Sequence, residues 1–60
     1  MKNSELIRLL KSKGCYFVKH GKEHDKWFSK INNQYFRVLR HAKEVKTGTV
    51  EAILKKAGIK

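Results

Sequence analysis

Gly21-Lys22-Glu23-His24-Asp25-Lys26-Trp27-Phe28 stands between two strand-forming runs, Cys15-Tyr16-Phe17-Val18-Lys19 before it and Trp27-Phe28-Ser29-Lys30 at its end. Aromatic and β-branched side chains suit a pleated, half-buried backbone, and a glycine interrupts such a run. The stretch therefore reads as a tight turn, with His24 at the mouth of the second strand. Alternation over 24–30 sets His24, Lys26 and Phe28 on one face against Asp25, Trp27 and Ser29 on the other. In the first strand, over 15–19, Cys15 and Phe17 oppose Tyr16 and Val18. Both of those faces are apolar, so the pattern leaves open which one meets the core.

On either side of this pair the chain completes a simple order. Asn32-Asn33 predicts a hairpin turn, because Asn tolerates positive φ, and the third strand over 35–39 turns Phe36 and Val38 inward. Upstream, Asn3 or Ser4 is expected to cap a helix over 4–13, with Glu5 at the positive end of its dipole. Leu6, Leu9 and Leu10 share a face of that helix, Ile7 lies alongside, and Gly14 ends it. Downstream, 40–46 reads as a connecting loop with a basic edge. Thr47 is expected to cap a second helix, in which Val50, Ile53, Leu54 and Ala57 recur at helical spacing until Gly58. There is no proline and no repeat. The expected fold is α+β, ordered α-β-β-β-α, with both helices on one face of a three-stranded antiparallel sheet and the other face open to a ligand. Double-stranded-RNA-binding domains share this order, an analogy of fold and not of function.

Sixty residues are read as one domain, 1–60, which buries only about 60% of its unfolded surface and leaves no room for a deep catalytic cleft. Fifteen Lys and Arg against five Asp and Glu give a formal charge of +10. Such a field attracts polyanions, and nucleic acid is the leading partner, bound first through phosphates. No stretch has the length and amphipathic pattern of a membrane-surface helix, none approaches a spanning length, and no leader peptide is evident. No membrane partner and a cytoplasmic location are expected. The single cysteine, Cys15, excludes an internal disulfide and reads as a small core residue.

Three histidines carry the chemical interest. A lone histidine after a turn is most often structural, and His20 reads as a strand-end residue. His41 falls in the loop, most simply as a surface residue, otherwise as a phosphate contact or a second histidine of the site. Asp25 either orients a histidine or pairs with a lysine, the second being the simpler reading. His20, His24, Asp25 and His41 have metal-ligand chemistry, but the four-residue spacing of His20 and His24 crosses a turn instead of following a helix. No metal and no cofactor are expected. Trp27, Tyr35 and Phe36 are the candidates for stacking on bases, at least two of them being core in a domain this small.

With these residues in view, the chain resembles the HicA family of bacterial toxins. Ser4-Glu5-Leu6-Ile7 with Leu9-Leu10 and Gly14 resembles the family's first helix and its stop. Gly21-Lys22-Glu23-His24-Asp25 is similar to its G-x-x-H-D motif, and Arg40-His41 with Glu44-Val45-Lys46 to a segment written P-R-H-x-E-I-K. Gly48-Thr49, Ala52-Ile53-Leu54-Lys55 and Ala57-Gly58-Ile59 are similar to its closing helix. Leu39 stands where many members have proline, and Lys26 where many have an apolar residue. The resemblance implies an mRNA interferase, with His24 as the catalytic residue and a HicB-like antitoxin as the partner that covers it. RNA is the expected substrate, with no binding of DNA by the chain itself.

RNA carries its own nucleophile, the 2′-hydroxyl beside each phosphate, so an enzyme need only align the two and remove a proton. Imidazole suits that task near neutral pH. Lys22, Lys26, Arg40, His41 and Lys43 are the expected RNA contacts; Lys22 and Lys26 are equally readable as solvated charge. The alternative from another class is a non-catalytic double-stranded-RNA-binding module, which accounts for the charge and the fold but gives His24 no task.

Overall fold

A computed structural model describes residues 1–39 and 42–60; Arg40 and His41 lie outside the described residues. The elements are α1 (Asn3–Ser12), β1 (Cys15–His20), β2 (His24–Ser29), β3 (Gln34–Leu39) and α2 (Thr47–Lys56). The strands form one antiparallel sheet in the order β1-β2-β3. The α+β class and the α-β-β-β-α order are those the sequence predicts. No helix among the described residues is long and apolar enough to cross a membrane.

The core fixes which face of the sheet is inner. Leu6 and Leu10 of α1, with Val50, Ile53 and Ala57 at α2, cluster with Cys15, Trp27, Phe36 and Val38. Cys15 and Trp27 thus mark the inner face, which the apolar pattern of β1 left open. The outer face carries Tyr16, Phe28 and Tyr35, one from each strand and in register. Between Phe17 and Lys19 the register shifts by a bulge, so that Lys19 pairs with Lys26 and His20 with Asp25. A bulge re-aims side chains, and this one returns His20 to the inner-face side.

Both helix starts differ from the expected caps. The N-cap residues are Lys2 and Lys46, each extended and neither with a side-chain cap bond. Tertiary pairing takes the place of a cap at α1. Lys2 forms an antiparallel bridge with Glu44, the Asn3 N–H donates to the Lys43 carbonyl at 3.0 Å, and the Val45 N–H donates to the Met1 carbonyl at 2.8 Å. Asn3 is therefore inside the helix and buried, its Nδ2 donating to the Leu39 carbonyl at 3.2 Å. Val45, read as part of a loop, is a core residue, and its burial holds Lys46 at the entry to α2. Thr47 is the first helical residue and not its cap. The helix ends follow expectation: Gly14 and Gly58 take φ of 92° and 76°, and Asn33 at the β2–β3 turn takes 55°.

Ser29 joins the sheet to α2. Its side chain is fully buried, Oγ donates to the Ala57 carbonyl at 2.6 Å, and it accepts from the Ile31 N–H at 3.2 Å. Replacing it with alanine leaves a buried carbonyl and an N–H without their partner. Ser29→Ala is expected to lower stability by about 1–3 kcal/mol, read as a lower urea midpoint with an unchanged slope. An unchanged midpoint would show that this bond contributes nothing net.

Candidate active site

The β1–β2 turn is closed by a two-residue loop, Lys22-Glu23. The Gly21 N–H donates to the His24 carbonyl at 2.8 Å, and a Cβ on Gly21 would collide with that same oxygen. Glycine is needed for this close backbone approach. It fixes where β2 begins, and so sets His24 opposite Leu39 of β3, half-buried at the end of the sheet.

An open groove of about 930 Å³ runs past this turn, across β2 and β3, and on to α2. Of the residues expected to contact RNA, Lys22 and Lys26 line it together with His24. Lys43 is exposed but does not line the groove; its carbonyl serves the start of α1. Arg40 and His41, both expected RNA contacts, fall outside the described residues. Arg37, Tyr35 and Lys56 line the groove as well, and Glu23 and Asp25 lie at its turn end. Arg37 had a signal in the sequence, since a residue between inward Phe36 and Val38 must point outward. Lys56 had none, because helical spacing alone does not say which strand a helix edge will face.

Pairing draws the cations into a row. Lys19 is opposite Lys26, and Lys26 is opposite Arg37. Like charges directly across strands are destabilising, so three in one line make a surface that an anion would relieve. Lys26 also places its Nζ 4.2 Å from the centroid of the Tyr35 ring.

Asp25 pairs with a histidine, where a lysine is the simpler expectation: its Oδ1 lies 2.8 Å from Nδ1 of His20. Alternation sets Asp25 and His24 on opposite faces of β2. His20 packs against Phe17, with ring centroids 4.7 Å apart, and does not line the groove. Among the described residues no group of three or more His, Cys, Asp or Glu is placed to hold a metal ion. Of the three candidate base-stackers, Trp27 and Phe36 are buried and Tyr35 is exposed.

A family model for the HicA toxin of bacterial toxin-antitoxin systems matches residues 4–59. The chain belongs to the HicA toxin family. No curated protein and no solved structure matches it significantly. Membership makes this chain the toxin half of a toxin–antitoxin system, with an antitoxin as its partner. In this HicA toxin the glycine of the G-x-x-H stretch has a steric reason, independent of the histidine's chemistry. Gly21→Ala is expected to destabilise the fold by more than about 1 kcal/mol, because the new methyl meets backbone that cannot rotate away. Thermal unfolding beside the parent checks this, and an unchanged midpoint would show that the turn relaxes freely.

Proposed function

We propose that this HicA toxin is an mRNA endoribonuclease in which His24 is the general base. The observation that carries the reading is His24 at the rim of an open groove that also holds Lys22, Lys26, Arg37 and Lys56. A base beside several cations is what attack within RNA requires. Neutral imidazole of His24 takes the 2′-hydroxyl proton, and the 2′-oxygen bonds to the adjacent phosphorus. The bond to the 5′-oxygen then breaks, and that oxygen takes a proton from solvent. The products are a 2′,3′-cyclic phosphate and a 5′-hydroxyl.

General-base removal of that proton contributes about 10²–10⁴-fold. Lys26 and Arg40 hold the phosphate, and Lys22 and Arg37 stabilise charge growing on its oxygens. Lys26 is carried by a strand bonded on both sides, which positions it more firmly than a loop would. Lys43, away from the groove, contacts RNA further along its backbone, and His41 is a further RNA contact. No step requires a metal, because the nucleophile belongs to the substrate.

His24→Ala is expected to lower cleavage by about 10²–10⁴-fold and abolish growth inhibition, with folding and RNA affinity largely kept. His20→Ala is expected to cut as the parent does. Cutting should persist in excess EDTA, and a single 2′-deoxy substitution should protect the bond beside it. A His24→Ala chain cutting at the parental rate would end the assignment. Equal cutting at the deoxy position would make water the nucleophile, and EDTA-sensitive cutting would bring in a metal.

The antitoxin competes with RNA for the same cations, so it presents an acidic surface over His24 and the groove. Charge complementarity of this kind acts mainly on encounter. The association rate of toxin and antitoxin is therefore expected to fall steeply with added salt in stopped-flow measurements. A salt-independent rate, or a complex with His24 open to solvent, would point to inhibition at a distance.

A further inference from the structure

The outer face of the sheet carries more than the groove uses. Tyr16, Phe28 and Tyr35 form a continuous aromatic row across all three strands, with centroids 5.5 Å and 5.0 Å apart. Core packing does not account for the two ends of the row, since Tyr16 is 45% and Tyr35 55% exposed. Phe28, half-buried between them, holds both rings in place. Lysines flank the row: Lys26 Nζ lies over Tyr35 at 4.2 Å and Lys30 Nζ near Tyr16 at 5.7 Å from the centroid. Beside it runs the cation line Lys19, Lys26 and Arg37. No acidic residue falls on this face of the described strands. Exposed flat rings interleaved with cations fit a ligand that has both planar faces and regularly spaced negative charge.

We infer that the outer sheet face is a stacking platform for unpaired RNA bases, with Tyr16 and Tyr35 as its rings. The platform rests on the proposed RNA reading and specifies its substrate as single-stranded. In a duplex the bases are stacked on one another and their faces are closed to side chains, which then reach only phosphates and 2′-hydroxyls. Unpaired bases have both faces free, and aromatic side chains bind them with little regard to sequence. The cation line takes the phosphates of the same strand. Tyr35 also lines the groove at His24, so a strand held on the row leads its backbone toward the proposed base. Double-stranded-RNA-binding domains share the element order, but this sheet face is built for the opposite state of RNA.

The test uses the full chain with His24→Ala, so that bound RNA stays whole. Affinity is measured by fluorescence anisotropy for an unpaired RNA oligonucleotide and for a duplex of equal length, at one salt concentration. Tyr16→Leu and Tyr35→Leu keep apolar volume and remove the ring. Each is expected to weaken single-strand binding by about fivefold or more and leave duplex binding unchanged. Tyr16→Phe and Tyr35→Phe, which keep the ring, should bind as the parent does. Thermal unfolding of each variant separates loss of the ring from loss of the fold. Parental affinity in both leucine variants would overturn the platform. So would an equal loss on single strand and duplex, or a loss confined to antitoxin binding, which would assign the row to the protein partner. RNA fragments appearing with the His24→Ala chain would count against the base and not against the platform.

Discussion

Among the described residues β2 is the only strand bonded on both sides, and its two-residue period governs everything around it. Trp27 and Ser29 point in; His24, Lys26 and Phe28 point out. A slip of one residue against either neighbour would carry Lys26 and Phe28 inward and turn Trp27 to water. An unpaired lysine in so small a core costs several kcal/mol, in the range of about 3–5 for an uncompensated buried charge. That is comparable to the roughly 3–5 kcal/mol a core of this size supplies. Register is therefore fixed by the core, and the core thereby fixes where the histidine and the cations emerge. The Gly21–His24 contact sets the start of the same strand, and the Ser29 hydroxyl ties its end to α2.

The outer face stands under the opposite pressure. Five acids accompany fifteen lysines and arginines in the chain, and those acids with resolved partners are engaged away from the cation line. Glu44 lies 3.8 Å from the N-terminal ammonium, Glu51 3.0 Å from Lys60, and Asp25 2.8 Å from His20 on the inner-face side. Lys19, Lys26 and Arg37 are left opposite one another across the sheet. A chain selected for stability alone would mix signs along such a line. The aromatic row next to it lowers the cost in part, since Lys26 sits over a ring face. A polyanion bound along this line would recover the stability given up there.

Much of this was legible in residue pattern. Val50, Ile53 and Ala57 announced α2 and are buried as expected, and Gly14, Gly58 and Asn33 take the left-handed φ their residue types allow. The inward turn of Phe36 and Val38 followed from alternation alone. What escaped was tertiary. Nothing local in Met1-Lys2 shows that it pairs with 43–45, yet that pairing replaces the side-chain caps expected at Asn3 or Ser4 and makes Val45 core. Nor does any residue type between Phe17 and Lys19 announce the bulge, although it decides that His20 meets Asp25. The site divides the same way. The turn that places His24 could be read from its glycine and the outward side of Arg37 from alternation, whereas Lys56 joins the groove only once α2 is folded beside the turn.

The bulge bears on why one histidine and not another faces the groove of the proposed chemistry. Without it, simple alternation from Phe17 would send His20 to the outer face, close to the cations and the mouth of the groove. With it, His20 sits beside Asp25 and Phe17, where the carboxylate engages one ring nitrogen and the aromatic ring covers part of the imidazole. Pairing through Nδ1 leaves Nε2 able to accept a proton; what sets His20 apart is its place outside the groove. His24, one turn away along the hairpin, shares its groove with lysines and an arginine, and with Glu23 and Asp25 at the turn end. The same short hairpin thus separates two histidines four residues apart onto two faces, one tied to an acid and one facing the surface where phosphate would lie.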